Sequence, residues 1–167
     1  SRHTLTTNYL SGLLWSRFLH AAAIFIPAFF LHFTFSLLDI KNKKWVLWSS
    51  YLCGIMLFIF NFTNLFIPGV RQVLHFKYFP IAGPVYPLFV LMFAACVLYS
   101  LYNMLRVIKV SSGSKLNQIK YVFLGALIGF SGGSTTFFPV FNIKIFPLGN
   151  FFIFLYITLI AYAITRH

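Results

Sequence analysis

Phe146-Pro147-Leu148-Gly149-Asn150 opens the last segment of the chain, which stays apolar through Ile164 before ending in Thr165-Arg166-His167. A Pro-Leu-Gly turn feeding about 19 apolar residues that stop at a basic residue is the pattern of a membrane helix reaching a water interface. Four further segments of the same kind precede it. They predict an all-α, polytopic transmembrane helix bundle of five spans, 18–38, 45–67, 85–105, 121–141 and 146–164.

Composition supports this. The 167 residues are 60% hydrophobic and 8% charged, too few charges to cover a water-facing surface, which in soluble domains takes about 25%. Thirteen Lys and Arg face a single acid, Asp39. The cations fall between the apolar runs instead of along one face, so they mark bilayer edges and exclude a nucleic-acid surface. Cys53 and Cys96 each sit inside an apolar run and read as small hydrophobes. No signal-peptide pattern is visible and Ser1 is not Met, so the chain reads as one membrane domain excised from a longer protein.

Residues 1–17 are mixed and polar, an interfacial, extracytoplasmic lead-in in which Trp15 and Arg17 mark the headgroup level. Pro27, midway along the first span, predicts a kink and a hinge, and Pro147 a second hinge before the last span. The second span runs from the belt residues Trp45 and Trp48 to Pro68-Gly69. The loop that follows, 68–83, alternates basic and aromatic residues and reads as an interfacial cap. Ser111-Ser112-Gly113-Ser114 predicts a flexible link between the third and fourth spans. Gly125, Gly129 and Gly133 form two small-xxx-small steps, a face on which another helix packs closely.

Sorting the loops by side gives eight cations on one face (Lys41, Lys43, Lys44, Arg106, Lys109, Lys115, Lys120, Arg166) and five on the other. The positive-inside rule then places the C-terminus in the cytoplasm. No Lys, Arg, Asp or Glu falls inside the five spans so drawn.

Acid–base catalysis needs more than one acid can supply. His32, Ser36 and Asp39 share one helical face, but three side chains stacked along a helix do not converge on a reacting atom, so Asp39 reads as a helix-end partner of nearby lysines. His20 and His32 point about 120° apart, which excludes a two-histidine metal site on one helix. Neither cofactor nor metal is implied. The polar groups at one depth are Asn61, Thr63 and Asn64 in the second span and Thr135, Thr136 and Asn142 in the fourth. With His32 they are the candidate ligand pocket; their competing role is helix packing, the hydroxyls bonded to their own helix.

Four segments in order, Phe30-Leu31-His32-Phe33, Ala82-Gly83-Pro84-Val85-Tyr86, Asn117 through Gly125, and Phe146 through Asn150 with Ala161 through His167, resemble the N-terminal seven-helix membrane region of bacterial histidine kinases. The resemblance covers the chain from about Leu14 onward. It implies a sensory input module of the cytoplasmic membrane that is not itself an enzyme and lacks the family's first two helices. It further implies a last helix that continues into a kinase or other cytoplasmic output domain, and a homodimer. The stimulus, a small molecule or a change in the bilayer, is left open. The alternative class is a small-molecule permease or membrane-embedded transferase built on the polar halves of the second and fourth spans.

Overall fold

The computed structural model describes residues 2–147 and 149–166; Ser1, Leu148 and His167 lie outside the described residues. Its elements are α1 (Arg2–Ala23), α2 (Ile26–Leu37), α3 (Lys44–Asn61), β1 (Val70–Val73), β2 (Phe76–Pro80), α4 (Tyr86–Ile108), α5 (Gly113–Ser134), α6 (Phe137–Val140) and α7 (Gly149–Arg166). Among the described residues, four segments, Asn8–Leu37, Lys44–Asn61, Tyr86–Ile108 and Gly113–Val140, are long and apolar enough to cross a membrane. The chain is a helical membrane bundle.

The fifth helix, α7, runs antiparallel to α5 over the same depth. Gly125 faces Leu159, Gly129 faces Tyr156, Gly132 faces Phe152, and Thr136 faces Gly149. Tyr121 and Tyr162 stack edge to face at the far end of the pair, 5.1 Å between centroids.

Proline and hydroxyl residues break the helices where their chemistry predicts. Pro27 lacks the N–H that would continue the α1 ladder, and the helix reopens at Ile26 after a turn in which Phe25 N bonds Ala22 O at 3.2 Å. The fourth span is cut in the same way. Thr135 and Thr136 turn their hydroxyls onto Gly132 O (2.6 Å) and Gly133 O (2.7 Å), and α6 carries Pro139.

Two boundaries move from expectation. The second span ends at Asn61, six residues before Ile67, because the Thr63 hydroxyl bonds locally and Arg17 takes the Asn64 side chain and the carbonyls beyond the last turn. The lead-in before Phe18 is helical and continuous with the first span. The link at 111–114 is also shorter than expected, since Gly113, at φ 67°, already opens α5.

From Lys44 to Asn61, α3 rises about 26 Å, close to the ~30 Å of bilayer hydrocarbon. Asn8–Leu37 is about 45 Å long, and its surplus stands at the other end from Lys44. There it holds the hairpin: Gly12 leaves room for the Tyr78 side chain, and Gly69 for the Tyr9 hydroxyl. The hairpin pairs antiparallel, Val70 with Pro80 and Arg71 with Phe79. Ile81 N bonds Gly69 O at 2.9 Å and Gly83 N bonds Phe66 O at 2.9 Å, closing the loop at its base.

Among the described residues the core has two parts. The larger joins Ile24, Ala28, Leu31 and Phe35 of the first span to Phe66, Tyr86 and Phe89. The smaller sets Val97, Leu101 and Met104 of α4 against Ile119, Val122 and Ala126 of α5. α3 contributes a narrow buried stripe of Ser50, Gly54, Leu57 and Asn61, at i, i+4, i+7 and i+11, flanked by half-buried Val46, Leu47, Tyr51 and Cys53, and exposes its outer face, including Trp45 and Trp48.

Candidate functional site

A group of bonded polar residues lies at the hairpin end of the bundle. Arg17 donates to Phe62 O (3.0 Å), Ile67 O (2.9 Å) and Asn64 Oδ1 (3.0 Å). Asn61, fully buried, returns a bond from Nδ2 to Arg17 O at 2.7 Å. The guanidinium thus closes the C-terminal end of α3, where unpaired carbonyls carry partial negative charge. Arg71 does the same for α6, donating to Val140 O at 3.1 Å and Pro139 O at 3.4 Å. Neither arginine has a carboxylate to pair with, because Asp39 lies at the opposite end, bonded to Lys41 at 3.2 Å.

His20 stands one turn further into the bundle. Its Nδ1 donates to Ser16 O at 2.8 Å, and in the neutral ring Nε2 accepts from the Tyr86 hydroxyl at 3.0 Å. Phe66, Tyr86 and Phe89 surround the imidazole edge-on. Both ring nitrogens are therefore bonded, and the group ties α1 to the start of α4.

The seven candidate pocket residues do not converge. Asn61 and Asn64 meet at Arg17, while the Thr63 hydroxyl bonds Phe60 O at 2.7 Å and receives Leu65 N. Thr135 and Thr136 bond their own helix as described, and Asn142, at φ 69°, lies exposed in the turn after α6. His32 is on the exposed face of α2, sharing a 2.9 Å hydrogen bond with the Tyr51 hydroxyl of α3. Arg17, His20, Tyr86 and Arg71 were absent from the expected set. The signal for Arg17 was its level: it stands at the same bilayer edge as Asn61 and Asn64.

The packing face of α5 is a corrected version of the expected one. A Cβ at Gly125 would make ordinary or slightly tight contacts with Leu159 and Tyr156, one at Gly129 would strike the Tyr156 ring at 2.7 Å, and one at Gly132 the Phe152 ring at 2.5 Å. A Cβ at Gly133 would meet nothing within 4 Å. Residues at i, i+4 and i+7 stay within an arc of about 60°, whereas i+8 has rotated about 80° away from i. Pro27 lies buried at the α1–α2 break, and Pro147 lies buried two residues ahead of α7.

Two apolar grooves flank α5. One, of about 480 Å³, lies between α4 and α5–α6, with Phe93, Val97, Phe130 and Phe138 among its walls. The other, of about 370 Å³, lies toward α7, with Leu127, Thr135 and Phe152 in its lining. No group of three metal-ligating side chains occurs among the described residues. Compared with models of protein families, with curated proteins and with solved structures, the chain finds no match.

Proposed function

We propose that the chain is the membrane-embedded sensory input module of a signal-transduction protein of the histidine-kinase type. In this reading it sits in a bacterial cytoplasmic membrane as a homodimer, with the Asp39–Lys44 turn and the end of α7 in the cytoplasm. A small-molecule or bilayer stimulus acts on the bundle, and α7 passes the change to an output domain in the same protein. The reading draws on the four ordered segments that resemble that family.

The observation that carries it is the mounting of α7. Among the described residues this helix packs along α5 through a glycine face and touches other elements only marginally. The first span, α3 and α4 are, by contrast, locked together by His20–Tyr86, Arg17–Phe62 and the aromatic cluster. A helix held along its length by one neighbour can shift or turn by changing its contacts with that helix alone, so a bias on α5 or α7 redistributes its positions.

The test uses the intact gene product in membrane vesicles, comparing wild type with Gly129→Leu for ATP-dependent autophosphorylation or other cytoplasmic output. A changed basal output in a protein that still assembles supports the reading. Unchanged output with unchanged assembly removes α7 as the relay. An intact product without any output domain, whose vesicles take up a solute, moves the chain to the permease class.

A further inference from the structure

The groove of about 480 Å³ between α4 and α5–α6 is filled by none of the described residues. Along α4 it runs from Val90 to Leu101, about 17 Å, and on the other side it ends at Phe141 and Ile143. That length matches one leaflet, half of the ~30 Å hydrocarbon thickness. About 480 Å³ spread over that length makes a groove narrower than a helix. A helix, at ~10–12 Å across, does not fit such a channel. One extended polymethylene chain does.

The walls agree with a tail. Leu98 is 65% exposed, Phe138 39% and Phe141 42%, so the groove opens sideways to where lipid stands. One of its two serines, Ser134, has its hydroxyl on Phe130 O at 2.7 Å and offers no demand for a polar ligand. The mouth differs from the walls. Ile143 is followed by the exposed Lys144, and the same end of the molecule carries Arg71 and Lys77 but no acid, since Asp39 is at the far end.

We propose that this groove binds a single-chain anionic amphiphile of the fatty-acid class, tail between α4 and α5, head at the Lys144 rim. The narrow groove seats a tail, and the acid-free rim with Lys144, Arg71 and Lys77 favours an anionic head. Because Leu127 and Ser131 line both grooves, an occupant on the α4 side presses on the helix that carries α7. As the stimulus this ligand rests on the sensory reading; occupancy of the groove does not.

The probe is palmitic acid carrying a mid-chain diazirine, added to the purified chain in nanodiscs of neutral phosphatidylcholine. After photolysis, labelled peptides are mapped by mass spectrometry. Saturable labelling within 90–101 and 127–143, displaced by unlabelled palmitate, is the expected result. Ala94→Phe, which fills the groove from α4, lowers labelling about tenfold, as does Ser131→Leu from α5, while Leu88→Phe on the outer face of α4 leaves it unchanged. Non-saturable labelling spread over exposed α3 residues such as Leu52 and Ile59 means ordinary boundary lipid and overturns the site. Equal displacement by palmitate and its methyl ester overturns the anionic head. Labelling as expected with no effect of palmitate on output of the intact protein retains the site and removes the ligand from the signalling reading.

Discussion

The Asn61 side-chain amide donates to the Arg17 carbonyl at 2.7 Å, while the Arg17 guanidinium reaches across the same gap to the carbonyls beyond Asn61. This reciprocal pair fixes where α3 ends and how deep α1 sits beside it. Its two halves differ in weight. Arg17 satisfies two backbone carbonyls and an amide oxygen, whereas Asn61 makes one bond and leaves its own Oδ1 buried without a partner.

Arg17→Met therefore destabilises the bundle by about 2–3 kcal/mol, and Asn61→Leu by about 1 kcal/mol or less, since the leucine also removes an unsatisfied oxygen. Arg17→Lys recovers less than half of the loss, because an ammonium lacks the planar fork that serves three acceptors. Thermal unfolding of the three variants in one detergent ranks them; a fully restored Lys variant would contradict the capping role.

Gly132→Ala and Gly133→Ala separate two faces of one helix. The first drives a methyl group into the Phe152 ring and costs about 1–3 kcal/mol. The second enters open space and is neutral or stabilising by about 0.5–1 kcal/mol, as expected when alanine replaces a helical glycine. Unfolding midpoints and the yield of an engineered α5–α7 cysteine cross-link report both.

Tyr86→Phe leaves His20 Nε2 without its hydroxyl partner in an aromatic surround. A loss of about 1 kcal/mol is expected, with the ring contacts to Phe66 and Phe89 retained. His20→Phe removes the need for the hydroxyl, so the double variant loses little more than His20→Phe alone. An additive double variant would show that the pair is not coupled.

Topology is checked by single cysteines in a background of Cys53→Ala and Cys96→Ala. With five crossings, Lys41→Cys and Ser111→Cys react with a membrane-impermeant maleimide from one face of sealed vesicles and Lys77→Cys from the other. Reaction of Lys77→Cys and Ser111→Cys from the same face would require a different number of crossings between α3 and α5.

The five apolar segments were legible because length and charge exclusion in a bilayer leave few alternatives. Pro27 also announced its break, and the Thr135 and Thr136 hydroxyls their bonds to their own helix, since each acts locally. The hairpin did not: its turn, with Leu74 at φ 53°, lacks the Asn-Gly type of signal, and the strands are only four and five residues long. The end of α3 was unreadable for a different reason. It is set by Arg17, 45 residues away from Phe62, and no local pattern encodes that meeting. Gly132 was missed in favour of Gly133 because a fixed four-residue step drifts off a 3.6-residue helix.

The antiparallel seating of α7 on α5 also sets an order of biogenesis. During synthesis α5 enters the bilayer while its future partner is still in the ribosome, so Gly125, Gly129 and Gly132 first face lipid. At those three positions α5 has no side chain with which to grip the membrane, and its first turns carry Lys115 and Lys120. Retention of α5 at that stage falls to the Val97–Met104 surface of α4. A chain halted before Gly149 consequently exposes a glycine furrow to the quality-control proteases of its membrane, and arrival of α7 is the step that hides it.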